Sequence, residues 1–131
     1  MTQVVDATVV ASALVDGGPE GTWAVEQLAS GPLVAPHHLP VEVASVLRRA
    51  VRHGEISQDA AALALQDLRD LRITLFPFAP FARRVWELRD NVSAYDAGYV
   101  ALAEALDIPL VTLDARLGRA PGCRCAFRSH E

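Results

Sequence analysis

Short apolar runs alternate with amphipathic ones along the whole of this chain, and that alternation is what most restricts its fold. Residues 3–6 read as a strand, and Thr8 to Val15 as a helix that Gly17-Gly18-Pro19 ends. A helix from Gly21 to Ser30 stops at Gly31-Pro32, and Leu33-Val34-Ala35 is a short buried strand before Pro36. The next helix runs from about Pro40 to His53, with proline tolerated in its first turn and Gly54 as its stop. Ser57 caps another that reaches Leu71, and Ile73 to Phe76 is a strand. Pro77-Phe78-Ala79-Pro80 turns into a helix to about Arg89, and Ser93 caps one that ends near Asp107. Leu110 to Leu113 is a strand, and Cys123 to Phe127 an edge strand. Strand–helix alternation of this kind predicts an α/β fold with a mainly parallel central sheet.

The chain is long enough, at 131 residues with 51% hydrophobic content, to bury one core. It reads as a single domain, 1–131, with no internal repeat or linker. No basic leader, cleavage site or membrane-length apolar stretch follows Met-Thr-Gln, so a cytoplasmic protein without a membrane partner is expected. The segment from Leu75 to Phe81, rich in proline and phenylalanine, is expected to carry the strand exit into the core.

Within this frame four acids stand where a folded chain finds them least comfortable. Asp6 closes the first strand, Glu42 opens an amphipathic helix, Asp96 opens an almost wholly apolar one, and Asp114 follows Leu110-Val111-Thr112-Leu113. Ligands of open parallel sheets bind beyond the carboxyl ends of the strands, which is where Asp6 and Asp114 fall. The ordinary role of each is a helix N-cap, and Ser93-Ala94-Tyr95-Asp96 has the form of a capping box. Glu42 lies about a quarter-turn from the apolar stripe of its helix, at the border of core and solvent. Two carboxylates about 4 Å apart repel by about 4 kcal/mol at an effective dielectric near 20. Four that converge therefore call for protonation or a divalent cation. Oxygen donors without histidine or thiolate favour magnesium, with manganese as a substitute.

Other chemistries find less support. Lysine is absent and all 12 basic residues are arginine, which excludes a Walker A loop and a Schiff base. His37, His38, His53 and His130 form no His-x-x-x-His pair, and His37-His38 beside Pro36 reads as a loop. Cys123 and Cys125 have no second pair to complete a zinc site and read as structural. The net charge of −4 opposes nucleic-acid binding only in sum. Without the four acids above, arginines and acids balance, and local distribution governs the field. Arg48, Arg49 and Arg52 cluster after Glu42, and the tail from Arg116 and Arg119 to Arg128 holds no acid before Glu131. Arg49, Arg116 and Arg119 are the candidate phosphate contacts.

Four segments carry a family resemblance: Val4-Val5-Asp6-Ala7-Thr8, Pro40-Val41-Glu42-Val43-Ala44, Ser93 through Ala103, and Leu110 through Leu117. In this order and spacing they resemble the PIN-domain ribonucleases, and among these the VapC-type toxins of bacterial toxin–antitoxin pairs. The resemblance implies a three-layer α/β/α PIN-like fold and a magnesium-dependent endoribonuclease. It implies Asp6, Glu42, Asp96 and Asp114 as metal-binding catalytic acids, and Thr8 and Thr112 as supporting hydroxyls. It further implies RNA as substrate, a small cognate antitoxin and a homodimer. Many PIN domains carry another Asp or Asn shortly after the position of Asp114. Here Ala115, Arg116 and Leu117 follow, which leaves one-metal and two-metal arrangements both open. An inactive PIN-like binding module is the main alternative. A phosphotransferase with Asp6 as nucleophile is a second, opposed by the missing lysine and by the lack of an Asp two residues after Asp6.

Overall fold

The computed structural model describes residues 1–130. In chain order its elements are β1 (Gln3–Val5), α1 (Ala7–Val15), α2 (Pro19–Ala29), β2 (Leu33–Pro36), α3 (Leu39–Arg52), α4 (Gln58–Asp70) and β3 (Ile73–Phe76). A 3-10 turn (Ala79–Phe81) leads into α5 (Ala82–Glu87), followed by α6 (Ala94–Leu106), β4 (Leu110–Val111), α7 (Ala115–Gly118) and β5 (Phe127–Arg128). Helix starts follow local chemistry. Pro19 takes the first position of α2, and the side chains of Ser57 and Ser93 accept the backbone N–H groups of Ala60 and Asp96.

All five strands are parallel and lie in the order β3-β2-β1-β4-β5. Val4 stands at the centre, paired with Val34 on one side and Leu110 on the other. The connections from β1 to β2 and from β2 to β3 step one way, whereas that from β3 to β4 crosses back. Right-handed crossovers then put the helices of the first two connections on one face and those of the third on the other. Packing agrees: α1 lies against α2, α3 and α4, while α6 lies against α5 and strands β1, β2 and β4. The expected α/β/α layering with a parallel sheet is what forms.

The core is aliphatic. Val4, Val5, Val9, Val10, Leu39, Val43, Val100, Leu102, Leu110 and Val111 are fully enclosed. Helix α6 is buried without interruption from Ala97 to Ala103, as its near-absence of polar residues requires.

Four expectations need correction. Strand β4 ends at Val111 rather than Leu113, so Asp114 stands three residues beyond it. Strand β5 begins at Phe127 rather than Cys123. Gly122 turns the chain with φ 84°, and Arg124 N–H donates to Glu104 Oε2 at 2.7 Å instead of joining the ladder. The last helix before α6 ends at Glu87, short of Arg89. The segment after β3 does not enter the core throughout: Pro77 is exposed, and Phe78 retains 61% of its accessible surface.

Candidate active site

Between β1 and β4 the strand order reverses direction, and the crevice beyond their carboxyl ends is where an open α/β sheet binds ligands. Asp6 leaves β1 at this crevice and caps α1. Its Oδ1 accepts Thr8 N–H at 3.1 Å, Val9 N–H at 3.2 Å and the Thr8 hydroxyl at 2.5 Å. Its Oδ2 accepts the Thr112 hydroxyl. Each threonine passes the connection on: Thr8 Oγ1 accepts Leu113 N–H and Thr112 Oγ1 accepts Asp114 N–H, both at 3.0 Å. The first strand is thereby fastened to the loop after β4. Thr8 and Thr112 thus both donate their hydroxyls to Asp6.

Only 3% of Asp6 is accessible. Burial pushes its pKa up to about 6, against the lowering effect of the Thr112, Thr8 and Val9 hydrogen bonds, and the charge of Asp96 adds to the rise. Asp96, in the first turn of α6, is also raised, first by burial and then by the charges of Glu42 and Asp114. Asp96 is thus the shared neighbour of the other three acids. Asp114 caps α7, its Oδ1 accepting Arg116 N–H at 2.9 Å and Leu117 N–H at 3.4 Å. Glu42 accepts the Tyr99 hydroxyl at 2.7 Å, with His38 Nε2 3.4 Å from the same oxygen. Burial, then the hydrogen bond to Glu42 and the nearby negative charges, raise the Tyr99 pKa far above its ordinary value, so this hydroxyl stays protonated and donates.

The four acids meet on one rim, but they are not a closed cage. Among the described residues, no three His, Cys, Asp or Glu side chains stand close enough to hold one ion as they are placed. Asp6, Asp96, Asp114 and Glu42 are nevertheless the oxygen donors a cation at this rim would meet. Their mutual repulsion is what such a cation would relieve.

Of the candidate arginines, Arg116 is closest to the acids, its Nε 3.9 Å from Asp114 Oδ1 with the side chain almost fully in solvent. Arg119 follows at the end of α7. Arg49 lies two turns beyond Glu42 and lines a shallow recess with Arg48, Arg52 and His53. His38, Tyr99 and Gly98 also belong to the site, although the sequence alone does not single them out. Two spacings point to them: His38 precedes Glu42 by four residues at the start of α3, and Tyr99 follows Asp96 by three on α6. On the far side of His38 is a cavity of about 170 Å³ lined by Pro36, His37, Phe76, Phe78 and Phe81 among others.

The PIN domain profile matches residues 4–122, nearly the whole chain and every element of the rim. The chain belongs to the PIN-domain family. Within that family it is of the VapC type. It is 44% identical over 126 residues to ribonuclease VapC1 of Mycobacterium tuberculosis, covering 95% of both chains. Its fold is similar to that of VapC20 from the same organism, a sarcin–ricin-loop-cleaving toxin, with TM-score 0.69 at 19% identity over 89% of this chain and 93% of that one. It is also similar to VapBC-5 of M. tuberculosis, from the VapBC family of toxin–antitoxin systems, with TM-score 0.54 at 19% identity over 98% and 96%. Among charges, Cys123 and Cys125 feel that of Glu104 first. Both thiols are free, and burial followed by the Glu104 charge pushes Cys125 up to about 12, which disfavours a reactive thiolate.

Proposed function

We propose that this PIN domain is a magnesium-dependent endoribonuclease, the toxin of a toxin–antitoxin pair that acts in the cytoplasm. One observation carries the reading: carboxylates gather around Asp96 at the sheet's switch point, where burial and their own charges raise the cost of ionisation. The donor set fits a hard divalent ion, magnesium with manganese as substitute. Asp6, Glu42, Asp96 and Asp114 would hold it. When bound, such an ion acidifies water and stabilises charge developing on a scissile phosphate. The chain's own part is to aim and restrain. Thr8 and Thr112 fix both oxygens of Asp6, and the Ser93 cap sets the first turn of α6 that carries Asp96. Arg49, Arg116 and Arg119 would contact flanking phosphates of the RNA. Covalent catalysis by Asp6 is disfavoured by the missing lysine and by the lack of an Asp two residues after it.

A homodimer and a small antitoxin complete the proposal. Helix α4 buries only Ala64 and Leu68, leaving Leu63 and Leu65 in solvent, and Val41 on α3 is exposed as well. Such apolar surface suits a second copy and an apolar antitoxin segment. An antitoxin arginine reaching the rim would pair with the carboxylates and compete with magnesium. No helix among the described residues is long and apolar enough to cross a membrane.

One assay series tests the reading. The purified protein should cut RNA with magnesium and stop with chelator, and light scattering should give twice the 14.1 kDa chain mass. Inhibition by the cognate antitoxin should weaken as magnesium rises. Metal-dependent RNA binding without any cleavage would favour the inactive binding module instead.

A further inference from the structure

The carboxylate of Glu42 reaches the rim from a different element than Asp96, on a long side chain with rotatable bonds. Left to itself it would turn to water, because Asp96 repels it. Two side chains oppose that. Tyr99, only 1% accessible and fixed in the core of α6, donates its hydroxyl to Glu42 Oε1 at 2.7 Å. The His38 ring closes the other side, set edge-on to Tyr99 with ring centres 5.1 Å apart and edge-on to Tyr95 at 5.6 Å. Its Nε2 lies 3.1 Å from the Tyr95 carbonyl oxygen, which can only accept, so this nitrogen bears the hydrogen. The ring can lie so close to α6 because residue 98 is glycine: a Cβ there would stand 2.7 Å from His38 Cε1.

We infer that Tyr99 is a positioning residue that, with His38 seated over Gly98, holds Glu42 turned toward Asp96 so that the two carboxylates serve one divalent cation. The inference rests on the nuclease reading above. Helix α6 then supplies one candidate ligand directly, Asp96, and through Tyr99 and the seat for His38 it aims a second that α3 carries. Partners of this outer kind typically matter by 10–100-fold in metal affinity.

The test is manganese binding, read by the loss of the free-ion electron paramagnetic resonance signal, on wild type, Tyr99→Phe, Glu42→Ala and the double variant. Circular dichroism verifies the fold, which phenylalanine preserves because it keeps the ring in its core position. Tyr99→Phe should weaken manganese binding by roughly 10-fold or more. It should have no further effect once Glu42 is alanine. Half-saturating magnesium for cleavage should rise by a similar factor, with the rate at saturating metal nearly recovered. Gly98→Ala, which leaves Tyr99 in place but displaces His38, should weaken binding in the same direction. Manganese affinity within twofold of wild type in Tyr99→Phe, or an equal loss in the Glu42→Ala background, would overturn the inference. If Asp96→Asn binds manganese as well as wild type does, the metal reading itself fails and the positioning role fails with it.

Discussion

Helix α6 has an acid near each end, and the two live under opposite conditions. At the first turn Asp96 is half-buried beside Glu42 and Asp114, and burial plus those charges raise its pKa. In the last turns Glu104 is tied by Arg84, with Nε to Oε1 at 2.7 Å and Nη2 to Oε2 at 3.1 Å. The backbone N–H of Arg124 donates to it as well, and Arg84 also donates to the Gly122 carbonyl. Burial works to raise Glu104, yet the Arg84 and Arg124 hydrogen bonds and charges bring it below its ordinary value. Both acids lose water; Glu104 receives Arg84 and the Arg124 N–H in exchange, enough to outweigh burial, whereas for Asp96 the help of Ser93 and His38 is outweighed by burial and like charge. A carboxylate whose partners are built into the fold holds the chain together, here by fastening the segment before β5. One left among like charges costs stability.

The largest effect expected from this contrast is at Asp96. Asp96→Asn should lower RNA cleavage by roughly 100-fold or more, beyond the 10–100-fold of an outer-shell change. Its melting temperature in chelator should stay equal or rise, because a repelled charge is removed. Retained cleavage with a lowered melting temperature would make Asp96 a cap like any other.

Glu104→Gln should do the reverse. It breaks a largely buried bidentate pair and leaves Arg84 with only the more exposed Glu87, 3.4 Å away, to offset its charge, at a cost of about 2–3 kcal/mol by denaturant unfolding. Cleavage below the melting range should persist. If unfolding is unchanged, the Arg84 tie contributes nothing and the contrast collapses.

Glu104 and Asp6, the rim acid beside Asp96, predict opposite pH profiles in metal-free protein. Because Glu104 is lowered, its stabilisation is complete above the ordinary carboxylate pKa and is lost as pH falls through its folded value. Because Asp6 is raised to about 6, its contribution is complete below the ordinary value of 3.8 and is lost as pH rises through about 6. Melting curves should therefore show an acid-side loss that Glu104→Gln removes. They should also show a decline between about pH 4 and 7 that magnesium offsets. A profile flat across both windows would deny the distinction.

The arginines should give the smallest change. Alanine at Arg49, Arg116 or Arg119 should weaken RNA binding by a modest factor. It should also reduce the slope of log affinity against log salt by about 0.7–1 for each phosphate the arginine had neutralised. A variant that leaves the slope untouched identifies an arginine that only solvates the surface, and Arg49, two turns along α3 from Glu42, is the one most exposed to that outcome.

Local chemistry accounts for what the sequence determined by itself. Strand and helix order, the serine caps of α4 and α6, and the position of Asp6 at the end of β1 all follow from periodicity, capping and the reach of a few residues. Glu42 at the edge of its stripe and the buried course of α6 are equally legible, being properties of one helix at a time. The tertiary structure decided whatever joins distant positions. Thr112 reaches Asp6 across 106 residues and Tyr99 reaches Glu42 across 57, and neither pairing is visible until the crossover from β3 returns the chain beside β1. The late start of β5 belongs here too, because Glu104 on α6 takes the Arg124 N–H that an edge strand beginning at Cys123 would have placed in its ladder. Phe78 stays in solvent for a similar reason: the 3-10 turn that follows β3 carries it outward, and no periodicity in the segment announces that turn. A cap or a stripe is set by neighbours within a turn or two, whereas a convergent site depends on which face of each helix the sheet claims.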